Sequence, residues 1–204
     1  MLLPEERIRT KKQLKEYLNA ELPRYKASGI KYFFQASENA ILKKHQKRLR
    51  KTEYYINSGK KIRAELSRFR LIKMQNKYAI HIPINVCKKG LKIVHIGPIL
   101  INSNAEVGEN CAFHINTAVV AGGVDSESPK LGNGVVMGVG STALGGIILA
   151  DNIAVGAGAV VTKDFLEPDI AIAGVPAKKI NNNGRTKWNP NSKRKKELNV
   201  SKEC

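Results

Sequence analysis

Four histidines are the side chains of this sequence best suited to proton transfer, since imidazole titrates close to neutral pH. They are His45, His81, His95 and His114. A histidine placed beside a hydroxyl group can remove its proton as a general base. His95 is the strongest candidate, because the repeat described next places it where an apolar side chain is expected, and a polar ring there needs a partner or a chemical role. A histidine with a purely structural role is the alternative.

A six-residue repeat runs from residue 101 to residue 165. Its first place is nearly always apolar, its second is often Gly, and its fifth is small or β-branched. Side chains alternate along an extended segment, so the first and fifth places share one side and can face a common interior. Gly, Asn and Asp between the apolar places suit sharp corners. The period predicts a parallel β-helix and disfavours a sandwich of antiparallel hairpins, whose strands would be longer.

The phase of the repeat makes two further predictions. The loop at residues 121–130 interrupts the repeat without shifting its phase, because Val119 and Leu131 are two hexads apart. Loops that leave a rigid repeat at a corner commonly carry binding residues. His114 follows His95 by one coil of three hexads plus one residue, which predicts that the two rings lie near each other. An outward, solvated His114 is equally compatible with the pattern.

Residues 1–79 predict a helical leader. Apolar residues recur at helical spacing over about Glu5–Leu22, Phe33–Asn57 and Lys61–Gln75. The last of these carries the apolar stripe Ile62, Leu66, Phe69 and Ile72. We expect this stripe to pack on the β-helix or on neighbouring subunits, and a lid or a partner-binding face is the alternative. Charge density falls and β-branched residues begin at Ile80, which places the domain boundary there.

The net charge of +18 is concentrated at the two ends of the chain. Residues 1–79 carry +14, residues 80–180 carry −1 and residues 181–204 carry +5. Basic ends can meet anionic surfaces, and weak association with an anionic membrane is compatible with them. No motif that reads a nucleic-acid sequence accompanies the charge, so no sequence-specific nucleic-acid partner is expected. Residues 181–204 lack an apolar period and are expected to form a mobile basic tail.

Cysteine use and the start of the chain favour a cytoplasmic location. Three cysteines, Cys87, Cys111 and Cys204, have no metal-like spacing, and no metal is expected. Cys111 falls at an inward fifth place and is predicted to be a small core residue. There is no apolar run of membrane-spanning length and no secretory signal pattern at the first residues. A position peripheral to the inner face of the membrane is compatible with the basic leader.

Residues 80–180 resemble the hexapeptide-repeat acyltransferases, and within them the serine acetyltransferase-like branch. The resemblance rests on the hexads together with residues 95–102 (HIGPILIN), 156–164 (GAGAVVTKD) and 173–178 (AGVPAK). It implies a mainly β fold with a left-handed parallel β-helix, a homotrimer, acetyl-CoA as the acyl donor, and active sites between adjacent subunits. Residues 49–55 (LRKTEYY) resemble a segment of a subgroup linked to capsule and exopolysaccharide genes.

The resemblance assigns the catalytic histidine to His95, but two positions depart from the family pattern. The second active-site histidine corresponds to Ser128, and the aspartate that orients the catalytic base corresponds to Ile80. Candidates for the missing acceptor-side contacts are His81, His114, Asp125 and Glu127. Solvation of the loop is the simpler role for the two carboxylates.

Acetyl-CoA needs a groove with small side chains and backbone donors, and cations for its phosphates. Candidates are Val139, Gly140, Ala157, Lys163 and Lys178. The corners of a β-helix also require small residues, so this assignment competes with a structural one.

These features together predict an acetyl-CoA-dependent O-acetyltransferase that transfers the acetyl group directly to a hydroxyl, with His95 as the general base. A sugar hydroxyl in surface-polysaccharide synthesis is the favoured acceptor, since Ser128 and Ile80 leave the serine-specific set incomplete. Serine O-acetylation for cysteine biosynthesis is the first alternative. The second is a non-enzymatic β-helix whose basic ends bind anionic polymers or membranes.

Overall fold

The computed structural model describes residues 2–34, 37–123 and 127–185. Four helices precede fourteen short strands. The helices are α1 Lys11–Glu21, α2 Gly29–Phe33, α3 Glu38–Asn57 and α4 Lys61–Tyr78. The strands are β1 Ile80–His81, β2 Lys92–Ile93, β3 Ile99–Ile101, β4 Glu106–Val107, β5 Ala112–Phe113, β6 Thr117–Val120, β7 Lys130–Leu131, β8 Val136–Met137, β9 Thr142–Leu144, β10 Ile148–Leu149, β11 Ala154–Val155, β12 Val160–Val161, β13 Ala171–Gly174 and β14 Ala177–Asn181. Among the described residues, no helix combines the length and apolar character that a membrane span requires.

The strands form three parallel sheets that wrap around one interior, which confirms the predicted parallel β-helix. Their orders are β1-β3-β6-β9-β12, β4-β7-β10 and β2-β5-β8-β11-β13, with β14 added antiparallel to β13 at the end. Ile99 pairs with Thr117, eighteen residues later, so one regular coil is three hexads. Ala118 pairs with Thr142, twenty-four residues later, so the coil that carries the loop is longer by one hexad. The loop therefore preserves the phase, as predicted.

The interior of the β-helix is built from the first and fifth places of the hexads. The first places are all buried: Ile101, Val107, Phe113, Val119, Leu131, Met137, Ala143, Leu149, Val155 and Val161. The fifth places are buried as well, including Cys111 and Ser141. Several corners hold Asn or Gly at positive φ, where those residues are least strained: Asn110, Asn116, Asn152, Gly134, Gly140 and Gly158.

Helix α3 begins later than the sequence pattern predicts. Ser37 occupies the N-cap and its hydroxyl accepts a hydrogen bond from the amide of Ala40, so Glu38 is the first helical residue. The residues before it form the separate short helix α2. Helix α4 continues past the predicted end to Tyr78, and Ala79 closes it in the left-handed conformation.

A buried ion cluster joins the helices to the first coil. The Arg50 guanidinium contacts the carboxylates of Glu21 and Glu53 at 2.8 and 2.9 Å, and all three side chains are buried. Arg50 also donates to the carbonyls of Cys87 and Lys88, both at 2.9 Å. Burial lowers the pKa of Arg50, but the two carboxylates outweigh it and hold that pKa well above its usual value. The cluster thereby satisfies backbone groups at the point where the β-helix begins.

The apolar stripe of α4 does not pack on the β-helix of its own chain, which is one of the two partners expected for it. Packing on a neighbouring subunit stays a prediction. Ile62 is 87% exposed and Phe69 is 58% exposed. Ala64, Ser67 and Leu71 are instead the buried residues of this helix. The small side chains at residues 64 and 67 let α4 lie close to α3, where the hydroxyls of Ser67 and Thr52 are 2.7 Å apart.

Candidate functional site

His95 lies on the turn between β2 and β3 and is held by a carboxylate from the helical leader. Its Nδ1 is 3.3 Å from Oε2 of Glu38, and Oε1 of Glu38 accepts a hydrogen bond from the amide of Ile96 at 2.8 Å. Glu38 is the first residue of α3, an end of a helix where a negative charge is favoured. The side chain of Glu38 thus contacts both the ring of His95 and the backbone of the turn.

His95 does not face the interior, so the prediction that it occupies an inward-facing first place of the repeat is wrong. Phe113 is a first-place residue and its strand partner in the preceding coil is Ile93, twenty residues earlier, rather than His95. The first coil is longer than three hexads, and His95 lies beyond the inward-facing place. Its side chain is 54% exposed, which leaves the ring accessible to a substrate.

His114 lies beside His95, as their spacing predicts. The centroids of the two rings are 6.3 Å apart and the rings are tilted by 51°. His114 follows β5 at an outward second place, yet it is half-buried. Burial lowers the pKa of His114, and the nearby charges of His95 and Lys92 lower it further. The His114 ring is therefore neutral near pH 7.

A groove of about 610 Å³ begins at His114 and continues along the later coils. Small and apolar residues line most of it, including the predicted donor-binding residues Val139 and Ala157. Gly138 and Gly156 also line it, and a Cβ atom at either position would lie under 3.0 Å from a neighbouring coil. Those two glycines are thus required by coil stacking as well as by the groove.

The far end of the groove is closed by residues that the sequence analysis did not identify. Ile180, Asn181 and Asn183 line it, at and just after β14. The predicted contacts Gly140, Lys163 and Lys178 do not line the groove. The Lys163 ammonium lies over the Phe165 ring, 5.6 Å from its centroid, and Lys178 is exposed on β14.

Of the acceptor-side candidates in the loop, the structure describes Glu127 but not Asp125. Asp125 lies outside the described residues. Glu127 is exposed and its carboxylate packs against Gly146. If residue 146 carried a Cβ atom, that atom would lie only 2.4 Å from Oε2 of Glu127. Ser128 is buried, and its hydroxyl has no hydrogen-bond partner among the described residues. Ile80 is a fully buried core residue of β1.

The remaining histidines and the buried cysteine lie away from this chemistry. His81 is exposed on β1, where it pairs with Leu100. His45 is completely buried in α3, and burial lowers its pKa to about 4, opposed in part by the backbone of Ile80. Burial raises the pKa of the Cys111 thiol to about 12, so a nucleophilic thiolate is disfavoured there. Cys111 is a core residue, as predicted.

Besides the residues at the far end of the groove, sequence reasoning missed Glu38. It lies fifty-seven residues before His95, and no local pattern links the two. A partial signal was present, because Ser37 followed by Glu38 is a favourable helix start. Had α3 been predicted to begin there, Glu38 would have been placed at an exposed helix end rather than inside a helix.

The arrangement can support general-base chemistry next to an extended ligand. An exposed imidazole held by a carboxylate can accept a proton from a hydroxyl. The neighbouring groove runs along several coils and is lined mostly by small and apolar side chains, which suits an extended, largely apolar arm.

Comparison with known proteins finds that part of the chain is similar in sequence to serine acetyltransferases. The serine acetyltransferase of Synechococcus elongatus is 34% identical over 100 residues, which are 47% of this chain and 40% of that protein. The serine acetyltransferase of Helicobacter pylori strain J99 is 34% identical over 96 residues, or 45% of this chain and 54% of that protein. No protein-family model matches the chain.

Solved structures of the same class share the fold. The serine acetyltransferase of Brucella abortus strain S19, solved in complex with coenzyme A, superposes with a TM-score of 0.59 at 22% identity, covering 85% of this chain and 68% of that one. The likeness supports the left-handed parallel β-helix expected from the resemblance. The chain spans about half or less of the length of the curated relatives described above. These comparisons give no support to the capsule-linked subgroup, to a saccharide acceptor or to membrane association.

Proposed function

We propose that the chain catalyses acetyl transfer from acetyl-CoA to a hydroxyl group, with His95 as the general base. The observation that carries this proposal is the exposed His95 ring, held by Glu38 at 3.3 Å and adjacent to His114 at the mouth of the groove. The similarity to serine acetyltransferases supplies the donor class.

In the proposed reaction, Nε2 of His95 removes the proton of the acceptor hydroxyl while the oxygen attacks the thioester carbonyl. The tetrahedral intermediate then collapses, the carbon–sulfur bond breaks, and the protonated His95 returns the proton to the departing thiolate. Glu38 accepts a hydrogen bond from Nδ1–H and does not take the proton, so it fixes the tautomer that leaves Nε2 free and stabilises the imidazolium that forms. The acetyl group passes directly from the thioester sulfur to the acceptor oxygen, without a covalent enzyme intermediate.

His114 contributes to the site as a neutral ring in this mechanism. Its pKa is lowered by burial and by His95, so it does not compete for the proton that His95 takes. A neutral imidazole N–H can donate to the oxyanion of the intermediate, which is the electrostatic help that acyl transfer needs. Its position between His95 and the groove suits that role.

The groove is the proposed donor site. Val139 and Ala157 would contact the pantetheine arm, and Asn181 and Asn183 add polar groups at the far end. Lys163 and Lys178 do not line the groove, so they could contact the phosphates of acetyl-CoA only where the ligand extends beyond it. A homotrimer, implied by the family resemblance, would allow a neighbouring subunit to complete the site.

For the acceptor, we propose L-serine first, because the relatives described above are serine acetyltransferases. A sugar hydroxyl is the second candidate, and one observation favours it. Ser128 and Ile80 stand where the family pattern places a histidine and an aspartate, and both are buried rather than turned to a ligand. Serine and nucleotide sugars should be compared directly, with coenzyme A release and the acetylated product as readouts. O-acetylserine would support the first candidate and an acetylated sugar the second.

The general base is tested with His95→Asn. We expect a fall in kcat/KM of about 10²- to 10⁴-fold, the range typical of a lost general base. The matched control is His81→Asn, which changes an exposed histidine that is outside the groove. Release of coenzyme A from acetyl-CoA in the presence of the acceptor is the measurement. Turnover by His95→Asn equal to that of the control would overturn the proposed mechanism.

A further inference from the structure

A second concave site, unrelated to the groove, lies on the helical leader between α2, α3 and α4. It is a recess of about 590 Å³. Six cationic side chains line it: Lys44, Lys47, Arg48, Lys51, Arg63 and Arg70. No carboxylate among the described residues lines it, and Tyr32 and Tyr55 add two aromatic rings. We call this feature the basic recess.

The spacing of these cations shows how the recess is built. On α3, residues 44, 47, 48 and 51 follow each other by three or four positions, so they share one helical face. Leu42, Leu49 and Arg50 mark the opposite, buried face. On α4, Arg63 and Arg70 are two turns apart and lie on the same face as Ser67, which is buried against α3. Both helices therefore direct positive charge into one space.

The charges of the basic recess are not compensated by the protein. None of its six cations forms an ion pair within residues 2–34, 37–123 and 127–185. Arg50, on the same helix, is by contrast paired with two carboxylates. Within the part of the chain that the structure describes, Lys44 is the one recess cation that donates to a protein acceptor, the Phe33 carbonyl at 2.6 Å, and its ammonium also lies over the rings of Tyr32 and Phe33.

Two cations of the recess, Arg48 and Lys51, are partly buried beside other cations. Partial burial lowers the pKa of Arg48, and the charge of Arg70 lowers it further. Partial burial also lowers the pKa of Lys51, assisted by Lys47 and Arg48. Side chains free in solvent would spread apart and avoid this mutual repulsion. The fold instead holds like charges together, an arrangement that an anionic ligand would stabilise.

We propose that the basic recess binds a small diffusible ligand that carries at least two adjacent phosphate groups. Two arginines offer planar forks that match phosphate oxygens, and the lysines add point charges around them. The concave shape and the volume of the recess suit a ligand of pyrophosphate or nucleoside-diphosphate size. A flat basic surface would be expected for a nucleic-acid backbone or a lipid bilayer.

The test is calorimetric titration of the full chain with inorganic pyrophosphate at moderate ionic strength. Replacing two recess cations, as in Arg48→Ala with Arg70→Ala, should weaken binding at least about 10-fold, since each charge-assisted hydrogen bond contributes strongly. Lys47→Gln with Lys51→Gln is a second recess pair and should act in the same direction. Arg9→Ala with Lys12→Ala is the matched control, because it removes two exposed cations of the leader that do not line the recess.

Binding of pyrophosphate that both recess pairs weaken, and that the control pair changes less than about 2-fold, supports the proposal. Equal losses in recess and control pairs would show a general charge effect and overturn it. Binding to DNA or to vesicles of anionic phospholipid, with none to pyrophosphate, would overturn it as well. Circular dichroism of each variant verifies that the fold is intact. The titration uses neither acetyl-CoA nor an acceptor, so its failure is distinct from a failure of the proposed catalytic function.

Discussion

At the scale of single residues, the central interaction is the contact between Glu38 and His95. One carboxylate oxygen faces the imidazole and the other accepts the amide hydrogen of Ile96, so the carboxylate cannot rotate without losing one of the two. Glu38 does not line the groove. It is therefore a positioning residue, expected to affect the chemical step more than donor binding.

Replacing Glu38 with Gln should lower kcat by about 10- to 100-fold, the usual cost of losing a group that orients a functional histidine. The amide retains an acceptor for the Ile96 N–H but loses the charge that stabilises the imidazolium. We expect the KM for acetyl-CoA to change little. Steady-state kinetics measure both, with Glu65→Gln as a control at an exposed carboxylate of α4. An unchanged kcat, or a change confined to KM, would contradict the positioning role.

The residues of the site differ in how far the sequence could predict them. The proximity of His95 and His114 is one of two outcomes that their spacing allows, since spacing along a repeat converts into distance between coils. The exposure of His95 does not follow from the repeat, because the first coil is two residues longer than a regular coil of three hexads. Glu38 depends on how a distant helix packs on the β-helix, which no local period encodes. Ile180, Asn181 and Asn183 line the groove through the antiparallel strand β14, which lies outside the repeat.

At the scale of elements, the β-helix was predictable and the leader only in part. Ten first places and nine fifth places of the repeat are buried, so local chance deviations average out. The helices carry no such redundancy. Their buried face includes Arg50 and Glu53 as well as Leu42 and Leu49, so apolar periodicity alone misses part of it. The stripe of α4 shows the opposite case, an apolar helix face that is exposed. Helical spacing identifies such a face but does not reveal whether another element packs against it.

Replacing Arg50 with Ala should destabilise the chain by about 3–5 kcal/mol, because two buried carboxylates lose their partner. The Arg48→Ala change on the same helix is the control, and it should cost under about 1 kcal/mol, since Arg48 forms no ion pair among the described residues. Urea denaturation followed by circular dichroism gives both values. Equal effects of the two changes would mean that the buried cluster contributes no more than a partly buried arginine without an ion pair.

At the scale of the whole molecule, the helices and the β-helix share one core. Tyr25, Leu42, Leu49 and Leu71 belong to the same buried cluster as the interior of the coils. His45 lies completely buried in α3, near the backbone of Ile80 at the start of β1, and neither of its ring nitrogens has a hydrogen-bond partner among the described residues. A proton on His45 would therefore place a charge where the two parts of the chain meet.

The stability of the whole molecule should accordingly fall as the pH drops below the ordinary pKa of histidine. Burial lowers the pKa of His45 to about 4 in the folded chain, whereas an unfolded histidine titrates near about 6.5. The unfolded state thus binds the proton first. The contribution of neutral His45 to the free energy of unfolding is complete above about pH 6.5 and is lost as the pH falls towards 4, amounting to about 2 kcal/mol between pH 7.5 and pH 5.

Urea denaturation at both pH values should show this difference in the wild type and a smaller one in His45→Leu, which has no proton to bind. Carboxylates that titrate in the same range are present in both proteins and cancel in the comparison. The same pH dependence in both would show that His45 does not couple protonation to folding.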